Sequence, residues 1–235
     1  MDFVYICRPG RNEELRYSIR SVLANAPVNS IWVVGGKPDW YVGNYIHVEQ
    51  FKTKYENAKN NLRAIVNSDS IPNKFILMND DFYIMKPIDR IPVYHGGLLE
   101  QKAKSYKNFK ATTSYAYMLE NTVNVLKRNG IPNPLDYSIH VPMTMHKQNL
   151  GLSIELGGAI RSVYGNINRI GGTKLPVDDV KVHNKSILFP QSFDYANDTY
   201  GVPFLSSSDF TFQNVYRKHL RVFSNATELE KRNSI

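Results

Sequence analysis

Apolar positions along the first third of the chain switch between two periods. Residues 2–7 (DFVYIC) form a short continuous apolar run, which reads as a buried strand, and Arg8-Pro9-Gly10-Arg11 breaks it. Leu15, Ile19, Val22 and Leu23 then fall on one helical face, in a helix that Asn12 can cap and Pro27 stops. Residues 31–34 (IWVV) return to strand and end at Gly35-Gly36. Strand, helix, strand is a βαβ unit, which implies parallel pairing and a right-handed crossover.

The pattern continues with a third strand at 45–48 and a helix over 54–67, with Tyr55, Ala58, Leu62, Ile65 and Val66 on one side. Residues 74–78 (KFILM) are a strongly apolar strand that ends abruptly in Asn79-Asp80-Asp81, before 82–85 (FYIM) turn apolar again. Residues 86–112 read as irregular, rich in Gly, Pro and Lys. A helix at 114–128 is terminated by Gly130. Further on, the pattern predicts helices near 146–155 and at 210–220, and strands at 187–189 and 203–206. The fold class expected is α/β: an open, mostly parallel sheet with flanking helices and an irregular C-terminal lobe.

Composition narrows the class. A chain of 235 residues with 42% apolar positions can fill one domain core. Its formal charge of +8 favours anionic partners such as nucleotide phosphates or nucleic acid. Lys102, Lys104, Lys107 and Lys110 are the densest basic cluster, interleaved with Tyr106 and Phe109. The single cysteine, Cys7, allows no internal disulfide and points to a reducing compartment. The opening apolar stretch is too short for a signal peptide, and no run approaches the ~20 residues of a membrane span. The expectation is a cytoplasmic chain in which the Asn225-Ala226-Thr227 sequon is unused.

The candidate chemistry centres on Asp80 and Asp81. Two neighbouring carboxylates at the end of a buried strand repel each other unless a cation lies between them. Ligands of open α/β sheets bind at that end of the strands. A hard ion such as Mg²⁺ or Mn²⁺ takes carboxylate oxygens and keeps positions for substrate phosphates. The plain alternative is a solvated polar turn. Asp178-Asp179 is a second acidic pair that suits a loop equally well, and Asp209 is either a helix N-cap or a further metal ligand. Arg8 and Arg11 lie beside a helix N-terminus, where a diphosphate would bind. Arg16 and Arg20 follow on the helix, either toward phosphate or on a solvated face. His140, in an apolar segment, is a core histidine or a general base, and Arg161 is a phosphate contact or a surface ion pair. The chain contains no HExxH, GxSxG, Walker A or GxGxxG motif, so zinc and serine hydrolysis have no support.

Several of these segments resemble the Stealth proteins, sugar-1-phosphate transferases of capsular polysaccharide synthesis. The residues are Glu14-Leu15-Arg16-Tyr17-Ser18-Ile19-Arg20-Ser21 with Ala26-Pro27 and Ile31-Trp32-Val33-Val34; Pro38-Asp39-Trp40; Lys74 through Asn79-Asp80-Asp81-Phe82; and Ile139-His140-Val141-Pro142-Met143 with Arg161. Two places depart from the family pattern: Cys7-Arg8-Pro9-Gly10 after the first strand, and Ser208 where an asparagine is expected. The resemblance implies a GT-A/Rossmann-like fold and a nucleotide-sugar donor whose diphosphate is bound through metal at Asp80 and Asp81. It also implies that His140 and Arg161 work at the transferred group.

Together these readings predict a metal-dependent transferase of a sugar or sugar-1-phosphate. The single domain 1–235 would divide into a nucleotide-binding half, 1–90, and an acceptor or lid half, 91–235. Metal ligands would be Asp80, Asp81 and Asp209; Arg8, Arg11, Arg16, Asn79 and Asp80 would hold the donor; His140, Arg161 and Asp81 would be catalytic. The acceptor would be a glycan or modified DNA; the residues do not choose between them. Two rivals stay open: a DNA-base glycosyltransferase of viral type acting on a modified pyrimidine, and a non-catalytic basic nucleic-acid-binding protein.

Overall fold

A computed structural model describes residues 1–51, 53–110, 113–177, 179–182 and 201–231. The chain forms two compact units. The first comprises Met1–Ile91, His140–Met145 and Val180–Ile235; the second comprises Pro92–Ile139 and His146–Asp179.

The first unit is built on a five-stranded sheet of order β3-β2-β1-β4-β7, with β1 Asp2–Cys7, β2 Ser30–Gly35, β3 Asn44–His47, β4 Lys74–Asn79 and β7 Met143–His146. β1 pairs parallel with both β2 and β4, and β2 pairs parallel with β3. The chain therefore winds outward from β1 in one direction and then returns to β1's other side as β4. Phe3, Val4, Tyr5, Val33, Val34, Leu77 and Met78 are fully or almost fully buried, as strands covered on both faces must be. The helices α1 (Glu13–Asn25) and α2 (Lys54–Asn67) supply the crossovers and bury Leu15, Ile19, Val22, Leu62 and Ile65. Asn12 caps α1 as expected, its side chain accepting the Leu15 N–H.

Beside its apolar face α1 carries a polar stripe, Glu14, Ser18, Ser21 and Asn25, at helical spacing. Three of these bind the short strand β5 (Phe82–Ile84). Ser18 Oγ donates to the Phe82 carbonyl, Ser21 Oγ accepts the Ile84 N–H at 3.0 Å, and Asn25 Nδ2 donates to the Ile84 carbonyl at 2.8 Å. α1 thus satisfies one edge of β5 as a neighbouring strand would. On its other edge β5 pairs antiparallel with β9 (Phe204–Ser206). After β9 come α7 (Phe212–Lys218) and a 3₁₀ turn, Leu220–Phe223, both packed on Tyr83 and Leu205.

The second unit contains β6 (Tyr94–His95), α3 (Leu99–Lys110), α4 (Ser114–Arg128), α5 (Lys147–Leu156), α6 (Ile160–Ile167) and β8 (Thr173–Lys174). Leu99, Ala103, Leu119, Val123 and Leu126 form its apolar core. A buried polar centre joins its loops to its helices. Lys102 Nζ donates to Asp136 Oδ2 at 2.6 Å, and Asp136 Oδ1 accepts the Ser138 N–H at 2.9 Å.

The α/β class and the mostly parallel sheet are as the sequence predicts. Three local readings change. Residues 86–112, read as irregular, contain α3: its charged outer face dilutes the apolar period to Leu99 and Ala103, too few to register as a helix. α6 was not anticipated, since Gly157 and Gly158 precede it and Gly165 lies within it. The 210–220 helix is shorter, Phe212–Lys218, and its N-cap position is Thr211 rather than Asp209. The strand expected at 187–189 and Asp178 lie outside the described residues.

Candidate active site

The carboxyl ends of β1 and β4 lie side by side where the strand order reverses. In open α/β sheets this is where the crossover connections diverge and leave a crevice. The loop after β1 brings Arg8 and Asn12 here, and the turn after β4 brings Asp80 and Asp81. Close approach of the β1 loop to the end of β2 requires glycine: a Cβ on Gly36 would stand 2.3 Å from the Pro9 nitrogen.

Arg8 is the hub. Its guanidinium makes a bidentate pair with Asp209, Nη1 to Oδ2 at 2.5 Å and Nη2 to Oδ1. Nη2 also donates to Glu14 Oε2 at 2.8 Å, and Nε lies 3.5 Å from Asp80 Oδ2. Asp80 Oδ2 accepts Asn12 Nδ2 at 2.7 Å. Asp81 Oδ2 accepts Lys181 Nζ at 2.7 Å. Glu14 Oε1 accepts Ser207 Oγ at 2.8 Å, and that hydroxyl lies 2.8 Å from the Tyr83 hydroxyl. The result is four acids facing two cations, with Glu14 and Asp81 buried, Asp80 half-buried and Asp209 exposed.

Burial and crowding set the proton affinities. Burial, with the neighbouring charge of Asp81 second, raises the Asp80 carboxyl to about 6. Burial raises Glu14 to about 8, with a hydrogen bond to Asp209 adding to the effect. The hydrogen bonds from Arg8 hold Asp209 down at about 2. Asp81 is only 8% exposed, and among the described residues its buried Oδ1 has no hydrogen-bond partner. A buried carboxyl oxygen in that state is costly, and an ion, water or ligand is one way such an atom is satisfied.

Among the described residues, no three His, Cys, Asp or Glu side chains are grouped to cage a metal ion. The residues fit a more open arrangement. Mg²⁺ is commonly held by one or two carboxylates, with substrate phosphates and water completing its shell. Asp80 and Asp81 are adjacent and recessed, and Asp81 Oδ1 is a buried oxygen that no hydrogen bond engages among the described residues. Asp209, expected as a third ligand, is engaged by Arg8.

The other expected site residues are distributed as follows. Asn79 is the last residue of β4, paired in register with Ile6. Arg11 is exposed, and its carbonyl accepts the Trp40 indole N–H at 2.7 Å. Arg16 pairs with Glu13 and Glu230 and lies 4.5 Å over the Trp40 ring, so its charge is already engaged. Arg20, read as solvated or phosphate-directed, is buried against Glu230. His140 belongs to the first unit, its ring edge-on to Phe82 at 6.0 Å. Arg161 belongs to the second unit, in the first turn of α6. Within the basic cluster, Lys102 is paired with Asp136, Lys104 with Glu100 and Lys107 with Glu120.

Glu14, Lys181, Ser207 and Glu230 were missed as site or network residues. The polar stripe of α1 was a legible signal for Glu14, since a charged residue in line with serines on an inward face must find a buried partner. Lys181, Ser207 and Glu230 carry no local signal.

No known protein family matches the sequence, and no curated protein does. Solved structures that resemble the fold include two of LgtC. One is an active-site mutant of LgtC, 10% identical, with 88% of this chain and 87% of that chain covered and a TM-score of 0.45. The other is the galactosyltransferase LgtC in complex with donor and acceptor sugar analogs, 11% identical, with 97% and 98% covered and a TM-score of 0.49.

Proposed function

We propose that this chain is a metal-dependent transferase that moves a sugar, or a sugar-1-phosphate, from a nucleotide-sugar donor to a glycan acceptor. The observation that carries the reading is the recessed pair Asp80–Asp81 at the strand-order reversal, with Asp81 Oδ1 buried and lacking a hydrogen-bond partner among the described residues. Asp80 and Asp81 would hold Mg²⁺ or Mn²⁺. The ion would neutralise the charge that develops on a leaving diphosphate. Arg8 and the amino end of α1 supply positive charge for the same group. Arg11 and Asn79 flank the loop and strand end from which these contacts are made. His140 is assigned as the base or phosphate contact, and Arg161 as the cation offsetting negative charge on the transferred group. The open, mostly parallel α/β sheet and the Stealth-like segments of the sequence support this assignment.

Thermal shift tests it. Nucleotide-sugars are expected to raise the Tm only together with Mn²⁺ or Mg²⁺, because a ligand stabilises by binding the folded state. Asp81→Asn should remove that shift and abolish transfer while the protein remains folded. Stabilisation by DNA alone, with no response to any nucleotide-sugar, would replace the transferase by a nucleic-acid binder.

A further inference from the structure

We infer that Asn12, the cap of α1, also orients Asp80 toward a divalent cation. The inference rests on the transferase reading in one respect: it needs the Asp80–Asp81 pair to hold a cation.

The side-chain amide of Asn12 has two chemically different ends, and each has its own partner. Oδ1 accepts the Leu15 N–H at 3.1 Å. Nδ2 donates to Asp80 Oδ2 at 2.7 Å and to Cys7 Sγ at 3.3 Å. Both amide hydrogens are therefore engaged, and the amide cannot be reversed. A flip would set Oδ1 against the Asp80 carboxylate and the NH₂ group against a backbone N–H. The backbone of Asn12 is left-handed, at φ 44 and ψ 64, a conformation that asparagine and glycine tolerate better than other residues. Aspartate caps a helix equally well but has no N–H for Asp80, and serine is too short to serve both partners.

The chemical consequence concerns charge. Arg8 and Lys181 hold their acids by neutralising them. At Asp80 Oδ2, where Arg8 Nε also lies at 3.5 Å, Asn12 adds a neutral donor that fixes the oxygen's orientation without adding a further positive charge. Donors of this type, bound to a ligating group and not to the ion, set ligand geometry and affinity. The α1 N-terminus and the acid pair are thereby tied together through one side chain, at the point where β1 and β4 end.

The test is Asn12→Gly. Glycine accepts the positive φ and is a serviceable cap, so the helix is preserved. Mn²⁺ affinity would be measured by electron paramagnetic resonance of the free ion, and the Tm without cation by circular dichroism. The expected result is Mn²⁺ binding weakened about tenfold with the cation-free Tm kept. If the Tm falls as well, the affinity measured where the variant is fully folded still decides. Mn²⁺ bound by Asn12→Gly as tightly as by the wild type overturns the inference and leaves the transferase reading standing. A wild-type chain that takes up no Mn²⁺ removes both.

Discussion

Replacing Glu230 with alanine strips a buried carboxylate from between two arginines. Its Oε1 accepts Arg20 Nε at 2.8 Å and the Thr227 N–H at 3.1 Å; its Oε2 accepts Arg20 Nη2 at 2.7 Å and Arg16 Nη1 at 2.8 Å. The Glu230 side chain is 2% exposed and that of Arg20 is 8% exposed. After the substitution the Arg20 guanidinium stays buried with only the carbonyls of Phe223 and Ser224 as acceptors. Removing one partner of a buried ion pair costs about 3–5 kcal/mol, because the remaining charge is desolvated and uncompensated. At 2–4 °C per kcal/mol for a chain of this size, the Tm should fall by roughly 6–20 °C. Calorimetric unfolding of Glu230→Ala measures it, with Glu100→Ala as the exposed comparison, expected to leave the Tm where it is. The clamp also pins the C-terminal segment: the Val42 N–H donates to the Leu229 carbonyl, and the Lys231 N–H to the Trp40 carbonyl. Burial works against ionising Glu230, but the hydrogen bonds of Arg20 outweigh it and hold its proton affinity below the ordinary 4.5. Its contribution is therefore complete above 4.5 and is lost as the pH falls below that value. A Tm loss under about 1 kcal/mol equivalent, the worth of an exposed pair, would refute the clamp.

Three further outcomes are expected. With Asp80 raised to about 6, its neutral form is favoured in the folded chain; that contribution is complete below 3.8 and fades as the pH rises through 6. Cation binding runs oppositely, so Mn²⁺ affinity should rise about tenfold per unit up to pH 6 and then level off, as calorimetric titration across pH would show; a flat profile counts against Asp80 as a ligand. Gly36→Ala should displace the loop after β1, because its Cβ meets the Pro9 backbone, and should weaken Mn²⁺ binding along with the Tm; an unperturbed variant would mean that the loop yields freely. Lys102→Ala leaves Asp136 buried in the second unit without its cation and should cost about 3–5 kcal/mol in denaturant unfolding, whereas a change near zero would show that Ser138 and Ser162 suffice.

The sequence by itself determined the elements whose period is strong and local. β1, α1, β2, α2 and β4 are legible because continuous apolar runs and a 3.6-residue face need no information from elsewhere. The abrupt change from KFILM to Asn79-Asp80-Asp81 likewise marked a strand end with acids on it. α3 was hidden because two core positions, Leu99 and Ala103, are set among lysines and a glutamate. What only the tertiary structure decided is how the charges pair. Arg8 meets Asp209 across 201 positions and Asp81 meets Lys181 across 100, and no spacing rule reaches that far. Glu230 is a surface-looking residue near the chain end until α1 brings Arg16 and Arg20 to it. Apolar burial acts through each residue's own period, whereas an ion pair exists only where folding brings its two halves within a few ångströms.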